Sequence, residues 1–208
     1  MTKTARTRVE RSRRSIVQAA SDLFLKHGFA GTSMDEVAAT AGVSKQTVYA
    51  HYASKESLFL EVVAGMTGGA ADTMQERVED PDGERPVEEF LLEYAEQQLA
   101  IVMTPRLMQL RRLVIAEAGR FPELGKALHT RGPQHAIDRL TRAFELYRQR
   151  SAVAVEDARV AASFFNWLVM GAPVNDAMLL GDDAIPSPDA LRGHARECVR
   201  IFLAAYGK

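Results

Sequence analysis

The sequence predicts an all-α fold of about nine or ten helices, with a three-helix head at the N-terminus and a larger helical body behind it. Three observations predict this. Apolar side chains recur at three- and four-residue intervals along nearly the whole chain, the spacing of one face of a helix. There is no convincing period-two run and no hairpin dipeptide between β-branched residues, so strand formation has little to start from. Glycine, proline and small polar clusters fall where helices begin and end rather than inside a β pattern.

The elements follow in order. A first helix is expected over about residues 8–27, where Ile16, Ala19, Ala20, Leu23 and Phe24 share a face and His27-Gly28 forms the stop. Ser33 and Glu36 stand at capping-box spacing and open a short second helix that ends at Ala41-Gly42. A third runs from Ser44 to about His51, and a fourth from Ser54 past Glu61 to the break Asp80-Pro81-Asp82-Gly83. Further helices are expected over 86–103, 105–119, 122–130, 133–150, 156–180 and 189–206. Thr104-Pro105, Gly132-Pro133, Ser151 and the Gly181-to-Pro188 linker separate several of them. The domain organisation is then a basic flexible arm over 1–12, a helix-turn-helix head over 13–60 and a helical body over 61–208.

With 47% hydrophobic and 25% charged residues, the 208-residue chain has an ordinary globular composition. No stretch approaches the roughly 18 consecutive apolar residues of a spanning helix, so no membrane partner is expected. The basic start runs into no apolar segment of the kind a secretory signal needs. The single cysteine, Cys198, excludes an internal disulfide framework and a thiolate metal cluster. A cytoplasmic, reducing location fits, with neither cofactor nor metal. The histidines His27, His51, His129, His135 and His194 are scattered without ligand spacing, and no phosphate loop or G-x-S-x-G turn occurs, so catalysis is not expected.

The net charge of -1 hides an asymmetry. Residues 1–55 hold nine lysines and arginines against four acids, whereas the remainder holds 17 against 23. A basic segment on an acidic body suits one end to a polyanion. Ser33 to Lys55 narrows the polyanion to DNA. Two short helices meet at Ala41-Gly42-Val43, where glycine permits the sharp turn, with Ala38 at the close approach and Val37, Val43 and Val48 as the wedge. The third helix offers Lys45, Gln46, Thr47, Tyr49 and His51 and contains no carboxylate. Gln46 suits adenine, Lys45 guanine and the Thr47 methyl a thymine methyl, with Tyr49 and His51 placed for phosphate oxygens. Thr32, Ser33 and Ser44 at helix starts, and Lys55 in the first turn of the fourth helix, add anion-favouring groups.

Residues 13–62 resemble the N-terminal domain of TetR-family regulators. The similarity lies in F-x-x-H-G-F at the close of the first helix, then T-S-M-D-E-V-A, A-G-V-S-K-x-T-V-Y and H-Y-x-S-K-E-S-L-F. The resemblance implies that the third helix enters the major groove, that Tyr52 packs beneath it, and that Lys55 binds phosphate. Residues 112–140 are similar to one subgroup of that family's ligand-binding domains. The partners so implied are a double-stranded DNA operator, a second copy of the chain, and a small hydrophobic or amphipathic effector.

In the body, the helices over 156–180 and 189–206 carry more apolar residues than one face needs. A homodimer surface is expected there, with Phe165, Leu168, Leu191, Val199 and Phe202 as its candidates. Tyr94, Met108, Phe164 and Trp167 are candidate walls of an effector pocket, with Arg111 to anchor an anionic group. Gly65, Gly68 and Gly69 weaken the fourth helix by up to about 1 kcal/mol each relative to alanine, and mark either a soft hinge or close helix packing. The function expected is a ligand-released repressor on a pseudo-palindromic operator. An activator, a regulator controlled by a partner or by its own concentration, and a weakly specific architectural protein would share the same head.

Overall fold

The computed structural model describes residues 3–81 and 84–207, with side chains at the start of the chain described from Arg8 onward. Ten α-helices are formed among these residues: α1 (Lys3–His27), α2 (Met34–Ala41), α3 (Lys45–His51), α4 (Lys55–Arg77), α5 (Val87–Val102), α6 (Pro105–Glu117), α7 (Pro122–His129), α8 (His135–Gln149), α9 (Ala158–Leu180) and α10 (Pro188–Tyr206). Helix α1 starts at Lys3, so the arginine-rich stretch expected as a flexible arm takes helical form. It contains neither glycine nor proline and is rich in good helix formers, which is the local reason. Of the Asp80-to-Gly83 break, Asp82 and Gly83 lie outside the described residues.

The chain divides into two compact units. One comprises the chain up to Met66 together with Gln109–Leu128; the other comprises Thr67–Met108 and the chain from His129 on. The first unit is therefore larger than the expected head. Its core is aromatic. Phe24, Phe29 and Phe59 pack with ring centroids 4.9–5.9 Å apart, and Phe121 meets Phe29 edge-on at 5.2 Å. That last contact is what brings the α6–α7 segment into the unit.

The second unit buries Phe90, Leu91, Tyr94, Phe144, Tyr147, Phe165 and Phe202 in one core. Within it the Arg139 side chain, 2% exposed, closes the end of α4. Its Nε donates to Asp80 at 2.6 Å, one terminal nitrogen donates to the Met74 carbonyl at 3.1 Å, and the other to the Val78 carbonyl. The last carbonyls of a helix lack intrahelical donors and carry partial negative charge, so a buried guanidinium satisfies both needs at once. Arg139 also lies over the Tyr94 ring, whose hydroxyl donates to the Ala136 carbonyl at 3.3 Å.

Two prolines lie where helices continue. Gly132-Pro133 was expected to separate one helix from the next; instead Thr130–Gln134 forms a π-helical turn that leads from α7 into α8. A wider turn shifts the hydrogen-bond register and accommodates a residue without an N–H. Pro173 is buried inside α9 and cannot donate to the carbonyl four residues back, that of Val169. Helix α10 supplies the missing donor: His194 Nε2 lies 2.8 Å from the Val169 oxygen. One turn on, the Cys198 thiol donates to the adjacent Leu168 carbonyl at 3.3 Å. Burial pushes that thiol up to about 11, which makes it a hydrogen-bonding core group rather than a reactive nucleophile.

This arrangement predicts a thermodynamic coupling. His194→Ala leaves the Val169 carbonyl without a donor and is expected to cost about 1–3 kcal/mol, read as a lower urea midpoint. In a Pro173→Ala background residue 173 regains its own N–H, and the cost of His194→Ala is expected to fall by more than about 0.5 kcal/mol. Equal costs in both backgrounds would show that His194 acts through packing alone.

Candidate nucleic-acid interface

The first unit presents α3 by fixing its start and the turn that leads into it. The Ser44 hydroxyl accepts from the Thr47 amide at 3.1 Å, so the helix starts on a side-chain cap. The turn before it is set by Gly42, which takes φ +67°, and its neighbour Val43 returns an N–H to the Ala38 carbonyl at 3.0 Å. Helix α2 is held by the expected capping box. Ser33 Oγ accepts from the Glu36 amide at 3.2 Å and Glu36 accepts from the Ser33 amide at 2.8 Å. The Ser33 amide and hydroxyl hold the Glu36 carboxyl below its usual range. Underneath, Val37 and Val48 are fully buried.

Helix α4 is tied to the α1–α2 loop by one ammonium group. Lys55 Nζ donates to the carbonyls of Phe29 at 2.7 Å and Thr32 at 2.8 Å, and lies 4.4 Å from the centre of the Phe29 ring. Arg13 of α1 pairs with Glu61 of α4 beside the buried Tyr52, whose phenol burial pushes up. Three helices are thereby locked around the short α3.

The surface so formed is an open hollow of about 550 Å³ lined by Thr32, Ser33, Asp35, Lys45, Tyr49, Ser54 and Lys55, with Ala30, Met34 and Ala53 between them. Thr32, Ser33, Lys45, Tyr49 and Lys55 are thus brought together in one hollow. Gln46 and Tyr49 stand exposed on α3, whereas His51 is half-buried. Others are engaged within the fold. The Ser44 and Thr47 hydroxyls bond each other at 2.8 Å, the Thr32 hydroxyl donates to Gly28 at 2.9 Å, and Tyr52 is buried. These residues shape the surface more than they face it. Lys55 is intermediate: two of the three donors of its ammonium are used on carbonyls, leaving one for a phosphate.

The sequence reading missed Asp35. Helix α3 has no acid of its own, but Asp35 of α2 reaches across to Lys45 at 2.8–3.0 Å and raises the lysine pKa. A carboxylate therefore sits on the face meant for a polyanion, and an approaching phosphate or base must compete with it. The ten-residue separation across a turn hides the pair from any reading of one helix at a time.

In the body, the exposures run opposite to the expected assignments. Phe165, Leu191, Val199 and Phe202, expected at a dimer surface, are buried in their own chain's core, and Leu168 is half-buried. Phe164 and Trp167, expected in a pocket, are 59% and 45% exposed. Tyr94 and Met108 are buried. Burial lowers the Arg111 pKa, and no carboxylate pairs with it among the described residues. The reason for the exchange is that α9 is apolar on both sides, so its periodicity does not say which stripe turns inward.

Comparison with known proteins places this geometry. Residues 16–62 match the family profile described as bacterial regulatory proteins, tetR family, and residues 89–208 match that of the C-terminal domain of AefR-like transcriptional repressors. A crystal structure of a TetR-family transcriptional regulator from Mesorhizobium loti is similar over 100% of both chains, with 35% identity and a TM-score of 0.88. The flavonoid-responsive regulator FrrA is similar over 95% of this chain and 98% of its own, with 30% identity and a TM-score of 0.76. Among curated proteins, YerO of Bacillus subtilis is 37% identical over 73 residues, which is 35% of this chain and 25% of YerO. The transcriptional activator FasR of Mycolicibacterium smegmatis is 43% identical over 51 residues, 24% of this chain and 23% of FasR. The chain thus spans about a quarter of the length of these curated relatives.

The Asp35–Lys45 pair yields a direct expectation. Asp35→Asn frees Lys45 and removes a negative charge from the interface, so affinity for non-operator DNA at low salt is expected to rise by about two- to fivefold. Filter binding across a salt series measures it. Unchanged affinity would mean that Lys45 stays on Asp35 in the complex.

Proposed function

The chain belongs to the TetR family of bacterial transcriptional regulators, and from that premise we propose that it is an effector-released repressor that binds a pseudo-palindromic operator as a homodimer. The observation that carries the DNA half is the capped α3 with Lys45, Gln46 and Tyr49 exposed on it and the α2 and α4 starts flanking it. A recognition helix set in this way reads base edges in the major groove while helix starts meet phosphate. Its chemistry is recognition, not catalysis. Repression is favoured by the description of the C-terminal profile as that of a repressor. The head does not decide the sign, since FasR, an activator, and SCO4008 of Streptomyces coelicolor, a repressor, both resemble it. No helix among the described residues is long and apolar enough to cross a membrane, and a cytoplasmic location is part of the proposal.

The dimer surface we propose is the outward stripe of α9. Val160, Phe164 and Trp167 follow four- and three-residue steps and are 46%, 59% and 45% exposed, with Ile201 of α10 also exposed. That spacing suits a helix-packing seam, and about half of each side chain is left open to a partner. Arg111, a partly buried cation that pairs with no carboxylate among the described residues, suits an anion on the first unit. The likeness to a flavonoid-responsive regulator favours a flat aromatic effector. A hundredfold loss of operator affinity on effector binding requires about 2.7 kcal/mol of coupling.

Selection of bound DNA from a random pool tests the operator reading: enriched half-sites are expected one helical turn apart, about 34–36 Å. Random enrichment would reject it. Trp167→Glu is expected to yield a folded monomer by analytical ultracentrifugation and to weaken operator binding by well over tenfold; a dimer that survives this change uses another surface. Glycines 65, 68 and 69 test the coupling. A Cβ at Gly65 or Gly69 meets nothing within 4 Å, and one at Gly68 meets only Arg131 at 3.9 Å, so close packing does not account for them. Replacing all three with alanine should stiffen α4 and blunt effector release; normal release would reject the hinge.

A further inference from the structure

Two carboxamides are buried together in the second unit. Gln98 of α5 is 7% exposed and Asn166 of α9 is 1% exposed. Gln98 Nε2 donates to Asn166 Oδ1 at 2.9 Å, joining residues 68 apart in sequence. The other end of the same amide is unmet: Gln98 Oε1 is buried and accepts no hydrogen bond among the described residues. Its neighbours along the two helices are apolar and equally buried, with Tyr94, Ala95 and Leu99 on α5 and Ala162, Phe165 and Met170 on α9. A buried amide oxygen without a donor destabilises a fold. A lone acceptor in an apolar wall is instead what gives a binding site its selectivity, because a matching donor removes the penalty and a mismatched ligand keeps it.

We propose that Gln98 Oε1 is the acceptor for a hydroxyl group on a largely apolar, aromatic effector, and that Asn166 holds the Gln98 amide in the orientation that presents this oxygen. The inference rests on the effector reading above and names the chemistry that the effector must carry. It also places recognition on α9, one residue from Trp167, so that occupancy of the Gln98–Asn166 pair bears on the helix that carries the proposed dimer stripe. A phenol satisfies the requirement. An aryl methyl ether of the same skeleton does not, because it has no proton to donate.

The test uses the full-length chain and two probes, a polyhydroxylated flavone and its fully O-methylated counterpart, with equilibrium binding followed by calorimetry and operator release followed in parallel. The wild-type protein is expected to prefer the hydroxylated probe by about tenfold or more, the equivalent of one well-made hydrogen bond. Gln98→Met is expected to erase that preference through loss of the hydroxylated probe alone, and to melt lower than wild type because Asn166 Oδ1 loses its donor. The double variant Gln98→Met/Asn166→Leu removes both polar groups, leaves no orphaned amide and is expected to lose the same preference while folding. If the pair only fastens α5 to α9, both variants will leave the probe ratio unchanged, which overturns the proposal. Equal binding of both probes by wild type overturns the Gln98 assignment while leaving an effector site in place. Binding of neither probe overturns the ligand class, and operator binding in the same samples keeps that failure separate from the DNA-binding reading.

Discussion

The Lys55 ammonium, held between the Phe29 and Thr32 carbonyls and resting on the Phe29 ring, decides where the DNA-reading surface stands. The α1–α2 loop offers the Phe29 and Thr32 carbonyls, and α4 begins with a cation that reaches both. Phe29 is at the same time a member of the aromatic cluster under α1 and α4. A single side chain thus joins the loop, the core and the start of the connecting helix. The short α3 could not hold its position alone, since seven residues make few intrahelical bonds. It borrows rigidity from this frame and from the caps at Ser44 and Ser33.

A comparable economy closes the far end of α4, where the Arg139 guanidinium takes the Met74 and Val78 carbonyls. The start is fastened by the helix's own Lys55, and the far end by a cation contributed from α8. Between them lie the three glycines, the weakest stretch of the same helix.

Much of the head was legible in the sequence because its determinants are local. The Ser33/Glu36 box, the Gly42 turn and the Ser44 cap act within a few residues, and each was found where its spacing put it. The body was legible as helices but not as surfaces. Helix α9 carries Phe164 beside Phe165 and Trp167 beside Leu168, and adjacent residues of one helix point about 100° apart, so apolar content alone could not choose the inward face. Long-range polar contacts were equally hidden. Nothing near Asp35, Arg139, Gln98 or Pro173 in sequence announces Lys45, Asp80, Asn166 or His194, because those partnerships exist only once separate helices have packed.

The carboxylate of Asp35 has a further bearing on how such a protein would work among many competing sites. A regulator in a cell meets an excess of irrelevant duplex, on the order of a million positions or more for each operator. A lysine already neutralised from within the protein gains little by settling on an arbitrary phosphate, so each irrelevant encounter is short. On the proposed reading, a site that offers Gln46 and its neighbours matching base edges compensates for separating the pair. The internal acid thus trades peak affinity for time spent searching, and it keeps more of the protein available to the site that matters.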